Sequence, residues 1–168
     1  MTVISPDRTG LVEAIARAVA EHGGNWLESR MCRLGGEFAG ILRIEILAEK
    51  KPALLAALQQ ISGLNVTVRA DESKVAPANL RQTKLELVGH DRPGIVRDIS
   101  AALARAGVNV EEFASEIVSA PMSGEDLFKA QARLQLPESC ALAALKKDLE
   151  KIAADLLVDV SFAEISGT

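Results

Sequence analysis

The sequence predicts an α+β fold that is built twice, each time as a four-stranded antiparallel sheet with two helices on one face. The first reason is a repeat, because the segment DRTGLV at residues 7–12 returns as DRPGIV at residues 91–96. The second reason is the spacing of apolar residues, which alternates between the periods of a strand and of a helix in the same order in both halves. The third reason is length, since 168 residues give each half the size of one small domain.

The first copy contains six predicted elements. Apolar side chains fall on one face of a first helix that starts at Leu11 and on one face of a second helix that starts at Leu54. Gly35-Gly36 predicts the turn of a hairpin between two long strands. The predicted order is strand, helix, strand, strand, helix and strand, at residues 3–4, 11–19, 25–34, 37–48, 54–61 and 64–68.

The second copy repeats this order with a longer first strand. Its first predicted helix carries an apolar stripe from Ile95 to Ala106, with Pro93 in its first turn and Gly107 as its C-terminal cap. Turn-forming residues at 121–124 break the chain between the two strands of the hairpin. The six elements are predicted at residues 84–88, 95–106, 108–119, 128–136, 142–156 and 158–162.

The connections between these elements predict the ferredoxin-like arrangement. Two right-handed crossovers in each copy place both helices on the same side of the sheet and leave the other face partly polar. The domains are expected at residues 1–70 and 81–168, joined by a polar linker at 71–80 that contains Pro77. An edge strand in each copy presents unpaired backbone groups, so we expect sheets to pair edge to edge, within or between chains.

Composition and charge exclude several classes of function. The formal net charge is −4 at pH 7 and Lys and Arg do not cluster, so we expect no direct nucleic-acid binding. Cys32 and Cys140 have no Cys or His at metal-ligand spacing, so neither a metal nor a cofactor is predicted. No apolar run approaches the ~20 residues that span a bilayer, and no charged leader precedes the repeat. We therefore expect a cytoplasmic protein that does not bind membranes.

Both copies share a motif of a strand, then Asp-Arg-x-Gly-aliphatic-Val, then a helix and Gly-x-Asn. This pattern resembles the ACT domain, a small regulatory module that senses amino acids, and the resemblance covers nearly the whole chain. The segment from Asn25 to Phe38 also resembles the first ACT domain of the glycine cleavage system transcriptional repressors, which are free-standing pairs of ACT domains. The resemblance implies a small amino acid as effector, with glycine as a candidate, a DNA-bound regulator protein as partner, and a homodimer as a candidate assembly.

The repeated loop has the chemistry that an amino acid requires. Each loop ends at the start of a helix, where free N–H groups and the helix dipole favour a carboxylate. Asp7 and Asp91 can accept hydrogen bonds from an ammonium, and the ACT resemblance implies ligand contacts at Asn25 and Asn109. We expect each loop with its asparagine to form half of an effector pocket at an interface between ACT units. The candidate ligand-binding residues are Asp7, Arg8, Gly10, Leu11, Asn25, His90, Asp91, Pro93, Gly94, Ile95 and Asn109.

The same residues also have a purely structural interpretation. Asp7 and Asp91 could cap the helices, the glycines could serve tight turns, and the asparagines could suit a bend. Under this alternative the chain is a structural or interaction module that binds no ligand.

Catalysis is not expected from this sequence. It offers no Ser/His/Asp grouping, no phosphate-binding glycine loop and no metal cluster. The first copy also resembles the N-terminal ACT domain of formyltetrahydrofolate deformylase, but a second ACT copy follows where the catalytic portion would stand. A fragment related to that enzyme is therefore kept as an alternative.

Overall fold

The computed structural model describes residues 1–69, 81–120 and 124–164. These residues form two compact units, one within Met1–Lys74 and the other within Val75–Thr168. The predicted linker at 71–80 and most of the predicted chain break at 121–124 lie outside the described residues. The predicted domain limits at 70 and 81 border the same segment and stay a prediction.

Each unit has the order βαββαβ. The first unit consists of β1 (Thr2–Pro6), α1 (Leu11–Glu21), β2 (Asn25–Leu34), β3 (Glu37–Glu45), α2 (Lys51–Gln59) and β4 (Asn65–Thr67). The second consists of β5 (Arg81–His90), α3 (Ile95–Arg105), β6 (Asn109–Ser119), β7 (Asp126–Leu136), α4 (Leu142–Leu156) and β8 (Val158–Glu164). The strand orders are β2-β3-β1-β4 and β6-β7-β5-β8, with antiparallel neighbours throughout. The predicted ferredoxin-like topology is confirmed in both units.

The core of each unit lies between the sheet and its two helices. In the first unit, Ile15 of α1 and Leu58 of α2 are fully buried in one cluster with Leu42 of β3. In the second unit, Leu134 of β7 and Leu149 of α4 are fully buried in the corresponding cluster. Each such side chain stabilises the fold by about 1.5–3 kcal/mol. Because the helices cover one face only, the other face of each sheet is open.

Both copies end their first helix with the same glycine cap. Gly23 and Gly107 have φ values of 71° and 68°, a left-handed conformation that glycine adopts without strain. The N–H of each glycine donates to the carbonyl oxygen three residues earlier, and the next N–H donates to the carbonyl oxygen five residues before it. This is the Schellman motif, and it confirms the predicted cap at Gly107. The cap directs the chain into β2 and β6, which begin at Asn25 and Asn109.

The prediction that Pro93 lies in the first turn of a helix is wrong. Helix α3 begins at Ile95, and Gly94 before it has a φ of 104°, which a helical residue cannot have. Pro93 therefore lies in the loop.

Several boundaries of the first unit also differ from the prediction, and two of them change the element to which residues belong. Strand β3 ends at Glu45 instead of residue 48, because Ala48–Lys50 form a short 3₁₀ turn that leads into α2. Helix α2 ends at Gln59, so Ile61 packs against the core from the following loop and not from the helix. Neither difference moves a candidate site residue.

Gly89 of β5 lies in close contact with the backbone at the start of β8. A Cβ atom on Gly89 would lie 2.6 Å from both the carbonyl oxygen of Leu157 and the Cα atom of Val158. We expect Gly89→Ala to lower the free energy of unfolding by about 1–3 kcal/mol, because backbone atoms must shift. Chemical denaturation measures this loss. Lys129→Ala, at an exposed position of β7, should change it by less than about 0.5 kcal/mol, and an equally small change for Gly89→Ala would contradict the tight packing.

Candidate functional site

Two loops, each between the first strand and the first helix of a unit, carry most of the candidate residues. Helices α1 and α3 begin after Gly10 and Gly94, which have left-handed φ values of 83° and 104°. Neither helix receives a side-chain hydrogen bond at its N-terminal cap. The interpretation of Asp7 and Asp91 as helix caps is therefore wrong, because the cap position is a glycine three residues further along. The first N–H groups of each helix keep their capacity to bind an anion.

The side chains of Leu11 and Ile95 are not available to a ligand. They are 3% and 2% exposed, because they open the apolar stripes of α1 and α3 and belong to the cores. Only the backbone N–H groups of these two residues can contribute to a site.

Each loop is attached to the neighbouring hairpin through the backbone of its aspartate. The N–H of Asp7 donates to the carbonyl oxygen of Gly36 at 2.8 Å, and that of Asp91 donates to the carbonyl oxygen of Asp126 at 3.1 Å. The two carboxylates have different surroundings. Asp7 forms an ion pair with Arg33 of β2, with 2.5 Å between Oδ2 and Nε. Within the described part of the chain, no ion pair involves the carboxylate of Asp91.

The arginine of the repeated Asp-Arg motif connects each loop to the end of the second helix. Nη2 of Arg92 donates to the carbonyl oxygen of Asp155 in α4, and Nη2 of Arg8 donates to that of Ser62 after α2, at 3.5 Å. Nε of Arg92 is buried without a hydrogen-bond partner among the described residues. The sequence-based list of ligand-binding residues included Arg8 but not Arg92, and both side chains were expected to point to solvent more often than to a ligand. These contacts join residues 54 and 63 positions apart, which motif spacing does not reveal.

Asn25 lies at the opposite end of its sheet from the loop of the same copy. Asn25 pairs with Glu45 of β3, whereas Pro6, which precedes the loop, pairs with Glu37. The two partners stand eight residues apart on β3. That spacing corresponds to roughly 26 Å along a strand.

The second unit shows the same separation. Asn109 pairs with Gln135 of β7, and His90, at the end of β5, pairs with Leu127. A free small amino acid is far shorter than the strand between these positions. The prediction that a loop and the asparagine of the same copy together form half of one pocket is therefore wrong.

A β-bulge follows each asparagine at the same position of the repeat. The pairing register shifts between Trp26 and Glu28 in β2 and between Val110 and Glu112 in β6. A bulge turns the side chains around it and often lies near a functional site. The duplicated bulges escaped sequence reasoning, because nothing in the residue pattern after the asparagines signals them.

His90 lies at the start of the second loop. Its Nδ1 is 3.6 Å from the carboxylate of Glu125 on the hairpin, and about half of its side chain is exposed (55%). His90 is therefore accessible next to Asp91, as a ligand contact would require. The first copy has Pro6 at this place, so the feature is not duplicated.

The first turns of α3 carry an exposed ion pair next to Gly94. Arg97 donates from Nε to Oδ1 of Asp98 at 2.7 Å and from Nη2 to Oδ2 at 3.2 Å. This hydrogen bonding lowers the pKa of Asp98 and raises the pKa of Arg97, so both side chains are charged at neutral pH. A Cβ atom on Gly94 would lie 3.2 Å from Nη2 of Arg97. In the first unit the residue equivalent to Arg97 is Glu13, which pairs with Arg17 at 3.5 Å.

Two shallow clefts in the second unit lie away from the loop. One, of about 290 Å³, lies between α3 and α4 beside Arg105 and Asp155, and the other, of about 300 Å³, lies on the open face of the sheet around Ala114. Residues 91–95 line neither cleft. The described residues contain no group of His, Cys, Asp or Glu side chains that could hold a metal ion. Of the helices described, none is long and apolar enough to cross a membrane.

The ACT domain family model matches residues 1–71 and 85–163. The chain belongs to the ACT domain family. The two matched segments coincide with the two copies of the repeat, and each contains the loop between its first strand and first helix and the asparagine that begins its second strand. The predicted tandem of ACT domains is confirmed.

Known proteins are similar to this chain in structure or in sequence. The crystal structure of an unknown protein from Galdieria sulphuraria matches with a TM-score of 0.85 at 28% identity, covering 98% of this chain and 96% of that chain. A proposed glycine cleavage system transcriptional repressor matches with a TM-score of 0.72 at 18% identity, covering 99% and 95%, which shows the fold alone. The UPF0237 protein of Methanopyrus kandleri is 33% identical over 75 residues, 44% of this chain and 77% of that protein.

The contact of Arg92 with Asp155 predicts that Arg92 contributes more to the free energy of unfolding than its equivalent Arg8 does. Arg92→Met removes a charge-assisted hydrogen bond from a half-buried guanidinium, so we expect the free energy of unfolding to fall by about 0.5–1.5 kcal/mol. Arg8→Met is the matched control, because its contact is exposed and long. It should cost less than about 0.5 kcal/mol. Urea denaturation followed by circular dichroism measures both, and equal losses would contradict the difference between the two contacts.

Proposed function

We propose that the chain is a regulatory protein that senses a small amino acid, with glycine as the first candidate, at the strand-to-helix loop of its ACT units. The observation that carries this proposal is a helix start without a side-chain cap, placed behind a left-handed glycine and an aspartate in both units. Amino-acid sensing is the activity that membership of the ACT family implies. A helix start of this kind supplies the donors that a carboxylate needs.

The second loop illustrates the chemistry of such a site. The carboxylate of the amino acid would accept hydrogen bonds from the N–H groups of Ile95, Val96 and Arg97, and the dipole of α3 would contribute about 0.3–1 kcal/mol. Gly94 has no side chain to keep the ligand away from the backbone. The ammonium would donate to the carboxylate of Asp91, and His90 would offer a further polar contact beside it. Pro93 would shape the loop without contributing a donor.

The asparagines enter this proposal through a second ACT unit. The asparagine of a unit stands roughly 26 Å along the sheet from the loop of that unit, so one small ligand cannot touch both. We infer that an asparagine of the type of Asn25 or Asn109 contacts the ligand from another ACT unit. Binding then depends on how ACT units associate, and a homodimer is one such association.

We further infer that the signal passes to a DNA-bound regulator by protein contact. The net charge of −4 does not favour binding to a phosphate backbone. The likeness to a proposed glycine cleavage system transcriptional repressor favours a role in the transcription of amino-acid metabolism genes. An effector can change such a contact only if it binds one arrangement of ACT units more tightly than another. Neither catalysis nor a cofactor is part of this mechanism.

Titration calorimetry with glycine and the other standard amino acids tests the sensing function. We expect saturable binding of at least one small amino acid at millimolar concentration or below. Acetate, which lacks the ammonium, and ethylamine, which lacks the carboxylate, should bind at least about tenfold more weakly, because each forfeits one set of charge-assisted hydrogen bonds. Silence from the whole panel would leave the chain as an interaction module without a ligand.

Asp91→Asn tests the proposed partner of the ammonium. The substitution removes the charge but little volume, so we expect the affinity for the bound amino acid to fall by about 10–100-fold. The melting temperature should change by less than about 2 °C, since Asp91 caps no helix. Asn109→Ala should also weaken binding at nearly unchanged stability. Asp148→Asn, at an exposed position of α4, is the control with the same change of charge. A loss of both stability and affinity in Asp91→Asn would refute the assigned role, and so would a loss of neither.

A further inference from the structure

The two loops have the same backbone conformation but different charges around them. The strand pairing places Arg33 of β2 and Ile117 of β6 at equivalent positions, each opposite a phenylalanine of the following strand. Arg33 forms the ion pair with Asp7, whose side chain is about one-third exposed. Ile117 is half exposed and offers Asp91 no charge. The first aspartate is therefore neutralised from within its own unit, whereas the second has no cationic partner among the residues that the structure describes.

A second contrast lies in the hairpins that hold the loops. The hairpin beside the first loop turns through Gly35-Gly36, which adds no charge. The equivalent positions beside the second loop are Glu125 and Asp126, and Asp126 holds the backbone of Asp91. Glu37, which pairs with Pro6 beside the first loop, stands where the second unit has Leu127. The second hairpin therefore carries one carboxylate more than the first, which favours a cation.

A third contrast lies at the helix starts, where the ligand carboxylate would bind. Arg97 brings a guanidinium close to Gly94 at the start of α3. At the equivalent position of α1 stands Glu13, an acidic residue in the first turn. Both residues are paired, Arg97 with Asp98 in the same turn and Glu13 with Arg17, so the contrast is one of position. Among the described residues, a guanidinium lies beside the cap glycine in the second unit and not in the first.

From these contrasts we propose that the second loop binds the amino acid, while Arg33 closes the first loop by occupying the place of the ligand's ammonium. Arg33 is tethered to the same unit, so it is present at a high effective concentration against any free ligand. An exposed ion pair is weak by itself, but the first helix start also lacks the guanidinium that Arg97 places beside Gly94. This inference rests on the proposed function and sets the stoichiometry at one amino acid per chain.

Exchanging the two equivalent residues tests this assignment. The amino acid that binds the wild-type chain in calorimetry, with glycine as the first probe, is titrated into the full chain and into Arg33→Ile and Ile117→Arg. We expect about one site per chain for the wild type, about two for Arg33→Ile and none for Ile117→Arg, because each exchange moves the blocking charge. The whole amino-acid panel is also titrated into Arg33→Ile, so that binding of any amino acid at the opened first loop is detected.

Two further variants guard against indirect effects. Arg33→Gln removes the charge without exposing a new apolar side chain and should also give about two sites. Arg30→Ile makes the same change as Arg33→Ile three positions before it in β2, where Arg30 pairs with Ile41 instead of Phe38, and should leave one site. Circular dichroism shows whether each variant keeps the wild-type fold.

The possible results separate this inference from the proposed function. Two sites in the wild type, or one site in both Arg33 variants, would overturn the closing role of Arg33. Undiminished binding by folded Ile117→Arg would overturn the assignment to the second loop. In all of these cases an amino acid still binds, so sensing stands. Only silence from every protein with every amino acid would remove the proposed function together with the inference.

Discussion

Both units depend on a glycine that turns the chain from the first strand into the first helix. Four residues, 7–10 and 91–94, connect the strand to the helix, and the last of them takes a φ that other residues adopt only with strain. Because that glycine occupies the cap position, no side chain of the loop satisfies the first N–H groups of the helix. The same constraint that makes the turn possible leaves hydrogen-bond donors unused at the protein surface.

The topology of the sheet places a second constraint on function. Strands β1 and β2 both pair antiparallel to β3, so they run in the same direction, and the loop after β1 lies at the far end from the start of β2. Asn25 and Asn109 are thereby removed from the loops of their own units. If both features serve one ligand, more than one ACT unit must supply them, and the ligand then acts on the association of units. A single unit of this fold has no means of reporting a bound amino acid by this route.

The repeat and the apolar periods are sufficient to predict the elements and the cores, because both arise from burial within a few residues along the chain. Ile15 and Leu149, for example, are buried on the helix faces that their spacing predicts. Relations set by strand register are not predictable in this way. The distance between the loop and Asn25, the pairing of Arg33 with Asp7 and the anchor of Arg92 on Asp155 all join residues that are distant in sequence. Pro93 shows that a local pattern can also mislead. Gly94 after it has a left-handed conformation, so the helix begins only at Ile95.

The central claim is that an amino acid binds the free N–H groups at the start of α3, and backbone chemical shifts of ¹⁵N-labelled protein test it most directly. On titration with glycine and the other standard amino acids, the account predicts saturable shifts of the amide signals of Ile95, Val96 and Arg97. The corresponding signals of Leu11, Val12 and Glu13 should stay in place. Saturable shifts confined to other surfaces, such as the cleft between α3 and α4, or no shifts with any amino acid, would contradict the account.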